Sequence, residues 1–172
     1  MMFILSFDMS TRSTGYAIFG DGMLVESGLI RSKKKVPIER INEIYSFCKE
    51  LFNKHNYDYV FIEDVPLSSS VNRRVAENLL LLQGCILSLC FEYNIKFVQI
   101  EPLSWRKIVG ITCKNKREEQ KKSAIYLVNE RFGFNFDWVD SKYDEKSGFS
   151  DISEAILIGL AGIKKYIEGE VV

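Results

Sequence analysis

The chain has 172 residues, 47% of them hydrophobic and 27% charged, with 23 Lys+Arg set against 23 Asp+Glu. At roughly 100–200 residues per domain a single domain over residues 1–172 is expected, and an aromatic share of 13% with three prolines excludes a disordered or collagen-like chain. The longest apolar runs, Leu79–Leu82 and Ile156–Ile158, fall far short of the roughly 18–20 residues of a membrane span, and the opening MMFILSF lacks the basic start and cleavage site of a signal peptide, so a soluble, intracellular (cytoplasmic) protein with no membrane partner is expected.

Met2–Phe7 is a continuous apolar run, the pattern of a strand buried on both faces. It ends at Asp8, which opens the polar loop DMSTRST. Gly15–Phe19 and Met23–Ile30 predict an antiparallel hairpin around Gly20-Asp21-Gly22. Basic Arg31–Lys35 is a loop, and Pro37 suits the first turn of the helix that follows. In that helix Ile41, Ile44, Tyr45, Cys48, Leu51 and Phe52 recur at spacings of three and four. His55, on the polar exit, reads as a surface or C-cap residue. Tyr59–Ile62 is a second wholly apolar strand and ends in Glu63-Asp64. After the Pro66–Ser70 loop, Arg73 to Tyr93 predicts a long helix that is apolar nearly all round. Such a helix is buried, either under its own chain or against a second copy. Ile95–Ile100 is the next strand, Pro102 opens a short helix through Val109, and the basic stretch Lys114–Lys122 leads into a helix ending near Phe132-Gly133. Phe134–Gly148 is irregular and acidic, and Asp151 to about Glu168 is the last helix. The order β-β-β-α-β-α-β-α-α-α predicts an α/β fold, a mixed sheet covered by helices.

The chemistry falls to carboxylates by elimination. Cys48, Cys85, Cys90 and Cys113 form no CxxC, and with one histidine the structural zinc spacings are absent. Cys85 and Cys90 read as core residues. No GxxxxGK[ST] occurs, so no nucleotide cofactor is expected.

If the two apolar strands lie side by side and parallel, Asp8 and Glu63 both reach the carboxyl edge of the sheet, where open α/β folds place ligands. Side chains alternate along a strand, so only one of Glu63 and Asp64 faces Asp8. Asp8 taken alone equally suits a turn. Asp151-x-x-Glu154 puts two acids on one face at a helix start; the same spacing describes a capping box. Four carboxylates would hold hard divalent cations, Mg2+ or Mn2+. Two such ions about 4 Å apart activate a water and stabilise the leaving oxygen of a phosphodiester.

Together FDMSTRSTGYAIF, VFIEDV and FSDISEAILIGLA resemble, in order and spacing, the three acid-bearing motifs of the RuvC family of Holliday junction resolvases. The LLLLQGCI helix after the glutamate also resembles the family, the segment Pro102 to Lys107 (P-x-x-W-R-K) is similar to that of phage-type members, and the resemblance covers nearly the whole chain. It implies a ribonuclease H-like fold, a mixed five-stranded sheet with helices on both faces. It also implies a homodimer that cuts four-way DNA symmetrically with two Mg2+ or Mn2+ ions per site, and a phage or viral type of protein. By resemblance Asp8, Glu63, Asp151 and Glu154 are the catalytic and metal-binding quartet. The family's last acid is usually aspartate, where this chain has Glu154. Pro66 stands near the position of an aromatic that contacts the junction in many bacterial members. Other branched DNA (flaps, forks), RNA–DNA hybrids and non-catalytic junction binding stay open as alternatives on the same fold.

Zero net charge argues against a DNA partner until the charges are placed. From Trp105 to Lys122 seven bases face two acids, a net +5; from Asp137 to Val172 eight acids face four lysines, a net −4. A basic block of this kind suits phosphates, although a run of charge is also how a solvated helix face looks. The DNA-binding candidates are Arg73, Arg74, Arg106, Lys107, Lys114, Lys116, Arg117, Lys121 and Lys122. Trp105 reads as core.

Overall fold

A computed structural model describes residues 1–65, 72–112 and 116–169. Three strands come first, β1 (Phe3–Asp8), β2 (Ser13–Gly20) and β3 (Met23–Arg31), followed by helix α1 (Pro37–Phe52) and β4 (Tyr57–Glu63). Helix α2 (Arg73–Glu92) and β5 (Lys96–Ile100) come next, then α3 (Pro102–Val109), α4 (Arg117–Phe132), α5 (Ser141–Ser147) and α6 (Phe149–Tyr166). The five strands form one sheet in the order β3-β2-β1-β4-β5. β1 is antiparallel to β2 and parallel to β4, so the sheet is mixed as expected.

The pleat sorts the side chains into two cores. Leu5 and Phe7 of β1, with Val60 and Ile62 of β4, pack under α1 and α2. Ile4, Ala17, Phe19 and Phe61 face the other way, against α3, α4 and α6. Successive strand residues alternate faces, so Asp8 continues the Ile4–Ser6 row and Glu63 the Tyr59–Phe61 row. Both acids therefore sit on the α6 side. Asp64 turns to the opposite face, where Gln99 Nε2 donates to it at 3.3 Å.

Helix α6 is almost wholly buried and lies unusually close to the sheet. A Cβ at Gly159 would collide with the Phe19 ring and Ser6 Oγ, and one at Gly162 with the Phe61 ring. Nearer its start, a Cβ at Gly15 of β2 would strike the backbone carbonyl of Asp151. Ser6, fully buried on β1, donates its hydroxyl to the Ala155 carbonyl at 2.8 Å. Small residues thus let the first two turns of α6 rest on β1 and β2, which fixes the height of Asp151 and Glu154 above Asp8.

Four expectations change. The segment expected to be irregular contains α5, whose SKYDEKS lacks an apolar repeat; Asp140 caps it by accepting from the Tyr143 N–H at 2.7 Å, and Gly148 ends it in the left-handed region at φ +71°. The last helix begins at Phe149, and its N-cap is Gly148 with no side-chain bond. Asp151 is therefore already inside the helix, and Asp151-x-x-Glu154 is not a capping box. His55 is not the C-cap of α1, which is Asn53; its ring stacks on Phe3 at 4.1 Å. Helix α2 is not buried all round: Leu82, Ile86, Leu89 and Cys90 pack inward, while Leu80, Leu81 and Phe91 are exposed. It is also the one described helix long and apolar enough in composition to cross a membrane, a property shared by the core helices of globular proteins. The Pro66–Ser70 loop, Cys113 and Lys114 lie outside the described residues.

Candidate active site

Asp8 ends β1, and Asp151 and Glu154 stand one helical turn apart on α6. One carboxylate oxygen from each lies within 4.8 Å of the other two. Parallel pairing of β1 with β4 brings Glu63 to the same edge of the sheet. Asp8, Glu63 and Glu154 share a cleft of about 700 Å³ with Arg106, Arg117 and Gln120.

Each acid is held by a neighbour. Ser13 Oγ donates to Asp151 Oδ2 at 2.6 Å. Trp105, the largest fully buried side chain, donates its Nε1–H to Glu63 Oε2 at 2.6 Å. Gln83 on α2 reaches across to the Glu63 carbonyl at 2.9 Å, and Gln99 donates to the Gln83 amide oxygen at 3.0 Å. A fifth acid, Asp144 of α5, is buried behind Asp151 and accepts from the Ser150 N–H and hydroxyl at 3.0 and 2.7 Å. Lys121 bridges the two, 3.0 Å from Asp144 and 3.7 Å from Asp151.

The acids are crowded together and raise one another's proton affinity. Burial, then the charges of Glu154, Asp151 and Glu63, push the Asp8 carboxyl well above the usual range. Burial and the charge of Glu63 raise Glu154 to about 7, against the opposing pull of Arg106, Lys121 and Arg117. Burial also raises Asp151 and Glu63, although Ser13 and Trp105 respectively stabilise their charged forms. Burial disfavours the Lys121 ammonium, but the bond to Asp144 and the charge of Asp151 outweigh it and raise that group. Packing several carboxylates together in a poorly solvated place is unfavourable. An all-oxygen donor set of this kind fits a hard divalent ion such as Mg2+ or Mn2+, which would offset the charge.

The family model described as "DUF3882: Lactococcus phage M3 protein" matches residues 1–145. A crossover junction endodeoxyribonuclease RuvC of Aliarcobacter butzleri is 33% identical over 133 residues, covering 74% of this chain and 84% of that one. The chain belongs to the RuvC family. The RuvC of Campylobacter jejuni is 27% identical over 140 residues, covering 79% of this chain and 85% of its own. Among solved structures, Thermus thermophilus RuvC in complex with a Holliday junction superposes with a TM-score of 0.74 at 14% identity, over 98% of this chain and 97% of that one. That likeness fixes the ribonuclease H-like fold of this RuvC-family chain.

Of the expected quartet, Asp8, Asp151 and Glu154 converge. Glu63 faces the same cleft, with its carboxylate engaged by Trp105 and by Arg106 at 3.3 Å. The basic candidates divide. Arg106, Arg117 and Lys121 stand at the acids. Lys122 pairs instead with Glu119 and Glu118 of its own helix and covers the Trp138 ring, as a solvated helix face does. Lys107 and Lys116 are exposed, and Arg73, also exposed, pairs with Glu77 one turn along α2, next to exposed Arg74. Sequence reasoning missed Asp144, Ser13 and Gln83. Asp144 sits in a segment without periodicity, Ser13 at the start of β2 in a run of five hydroxyl and basic residues, and Gln83 within an apolar helix, where a lone amide was the available signal.

Proposed function

We propose that this RuvC-family chain is a divalent-metal-dependent endonuclease that resolves Holliday junctions, working inside the cell as a homodimer. The observation that carries the reading is the convergence of Asp8, Asp151 and Glu154 within 4.8 Å, two of them lining a cleft shared with Arg106 and Arg117. Asp8, Asp151 and Glu154, with Glu63 beside them, would hold Mg2+ or Mn2+, two ions per site. Bound ions of this kind supply an activated water and stabilise charge on the cleaved phosphate. The chain's own groups do the rest. Ser13 and Trp105 fix the orientation of Asp151 and Glu63. Arg117, exposed at the rim, meets the DNA backbone, and Lys121 supplies a fixed positive charge where negative charge develops. The extra methylene of Glu154 does not remove it from the cluster, which favours a cutting enzyme over a non-catalytic junction binder.

Symmetric cutting needs two sites related by a two-fold axis. The outward stripe of α2 supplies a surface for a second copy: Leu80 and Leu81 are 43% and 56% exposed, and Gly84 beside them has open space around it. The test is a synthetic four-way junction with Mg2+ or Mn2+, run beside flaps, forks and an RNA–DNA hybrid. Paired cuts in the junction, lost in Asp8→Asn, are expected; an uncut junction in both metals refutes the reading, and preferential cutting of another substrate reassigns it.

A further inference from the structure

Two of the cations at the acids, Lys121 and Arg106, each lie between two carboxylates, and they are seated differently. Lys121 rests on Asp144, which is itself anchored by two bonds from Ser150, so its ammonium is fixed from behind. Arg106, from α3, reaches between carboxylates of two other elements: its Nη2 lies 3.3 Å from Glu63 Oε2 and 3.6 Å from Glu154 Oε1. Charge-assisted N–H···O bonds settle near 2.7–2.9 Å, so both contacts are long. Its Nε is buried without a hydrogen-bond partner, a state that costs free energy in a guanidinium. The plane of the group lies on the Trp105 ring at 4.4 Å, a contact that holds a cation without satisfying its N–H edges.

We propose that the Arg106 guanidinium is a resident stand-in for a second cation between Glu63 and Glu154, and that it gives up this place when a divalent ion binds there. The inference rests on the metal-dependent reading above and adds an exchange step to it. One positive charge facing two carboxylates leaves a net negative charge, whereas a divalent ion offsets both. Trp105 keeps Glu63 oriented throughout, because its bond to Oε2 does not depend on Arg106. The first ion, among Asp8, Asp151 and Glu154, meets cations only at its edge: Lys121 stands 3.7 Å from Asp151 but is held by Asp144, and Arg106 touches Glu154 alone of the three. The two ions therefore bind in a fixed order, and Arg106 sets the concentration at which the second enters.

The test is titration of DNA-free protein with Mn2+ by calorimetry, checked by loss of the free-Mn2+ EPR signal, in wild type, Arg106→Met and Arg106→Lys. The expected result is a split. In Arg106→Met the second ion binds at least tenfold more tightly while the first changes less than threefold. Arg106→Lys falls between, since an ammonium keeps the charge but cannot reach both carboxylates. Equal tightening of both ions shows a general field effect and overturns the proposal, as does a second ion that is unchanged or absent in Arg106→Met. Failure of every variant to bind any Mn2+ overturns instead the metal-dependent reading. Thermal melts confirm folding, and if Arg106→Met unfolds, the same split in Arg106→Lys decides.

Discussion

Glu154→Gln is expected to stabilise the metal-free protein at alkaline pH while removing its activity. Glu154 is raised from 4.5 to about 7 in the folded state, by burial first and the charge of Glu63 second. A carboxyl whose folded value lies above its unfolded one contributes stability that is complete below about 4.5 and lost as pH rises through about 7. At 1.36 kcal/mol per decade, the span from 4.5 to about 7 corresponds to about 3 kcal/mol. Asp8 faces Glu154 and shares the effect, so the difference belongs to the pair. Glutamine keeps the shape of the protonated acid and carries no charge to desolvate. In EDTA the two proteins should melt within about 3 °C of each other at pH 5, and the variant should melt clearly higher at pH 8. For a chain of this size about 2–4 °C accompanies each kcal/mol, so the gap at pH 8 is about 6–12 °C. Saturating Mg2+ should close it by stabilising the wild type, about 2.7 kcal/mol at a hundredfold excess over Kd. Differential scanning fluorimetry across pH 5–8, with and without Mg2+, reads all of this. Superposable melting curves at every pH, or a variant less stable at pH 8 in EDTA, would refute the reasoning.

Gly15→Ala should shift the start of α6, because its methyl group meets the Asp151 carbonyl; a loss of about 1–3 kcal/mol in urea unfolding, with a larger proportional loss of junction cleavage, is the expected pattern. Trp105→Phe removes the donor to Glu63 and should cost about 1.5–3 kcal/mol for a bond to a charged group, read by the same unfolding experiment. Leu81→Asp, on the outward face of α2, should leave the melting temperature nearly unchanged and shift sedimentation from dimer to monomer at micromolar protein. Asp144→Asn should weaken the hold on Lys121 and lower the rate of cleavage without altering four-way junction binding, measured by gel shift.

Much of this arrangement was legible in one sequence because it depends on short-range patterns. The apolar runs before Asp8 and Glu63 marked the central strands, and strand alternation left only one of Glu63 and Asp64 able to face Asp8. Prolines 37 and 102 marked the starts of α1 and α3. Charge placement narrowed the cations to a block containing Arg106, Arg117 and Lys121. What stayed hidden depends on contacts across the chain. The Asp151–Glu154 spacing fits a cap as well as a site, and only the packing of Gly148 and Phe149 starts the helix early enough to decide. Asp144 carries no local signal, since its partner Lys121 lies 23 residues away. Helix α2 looked buried all round because Leu80, Leu81 and Phe91 match its inward residues in type; no composition rule separates the two faces.

The close seating of α6 on the sheet has a consequence for the timing of synthesis. Asp8 is made well before Asp151 and Glu154, which follow more than a hundred and forty positions later on a helix that covers β1 and β2. A nascent or truncated chain that lacks α6 has half the quartet and a bare hydrophobic sheet face. On the function proposed above, the nuclease therefore cannot cut nucleic acid until α6 has left the ribosome and docked, and the docking that covers the sheet face also assembles the acids.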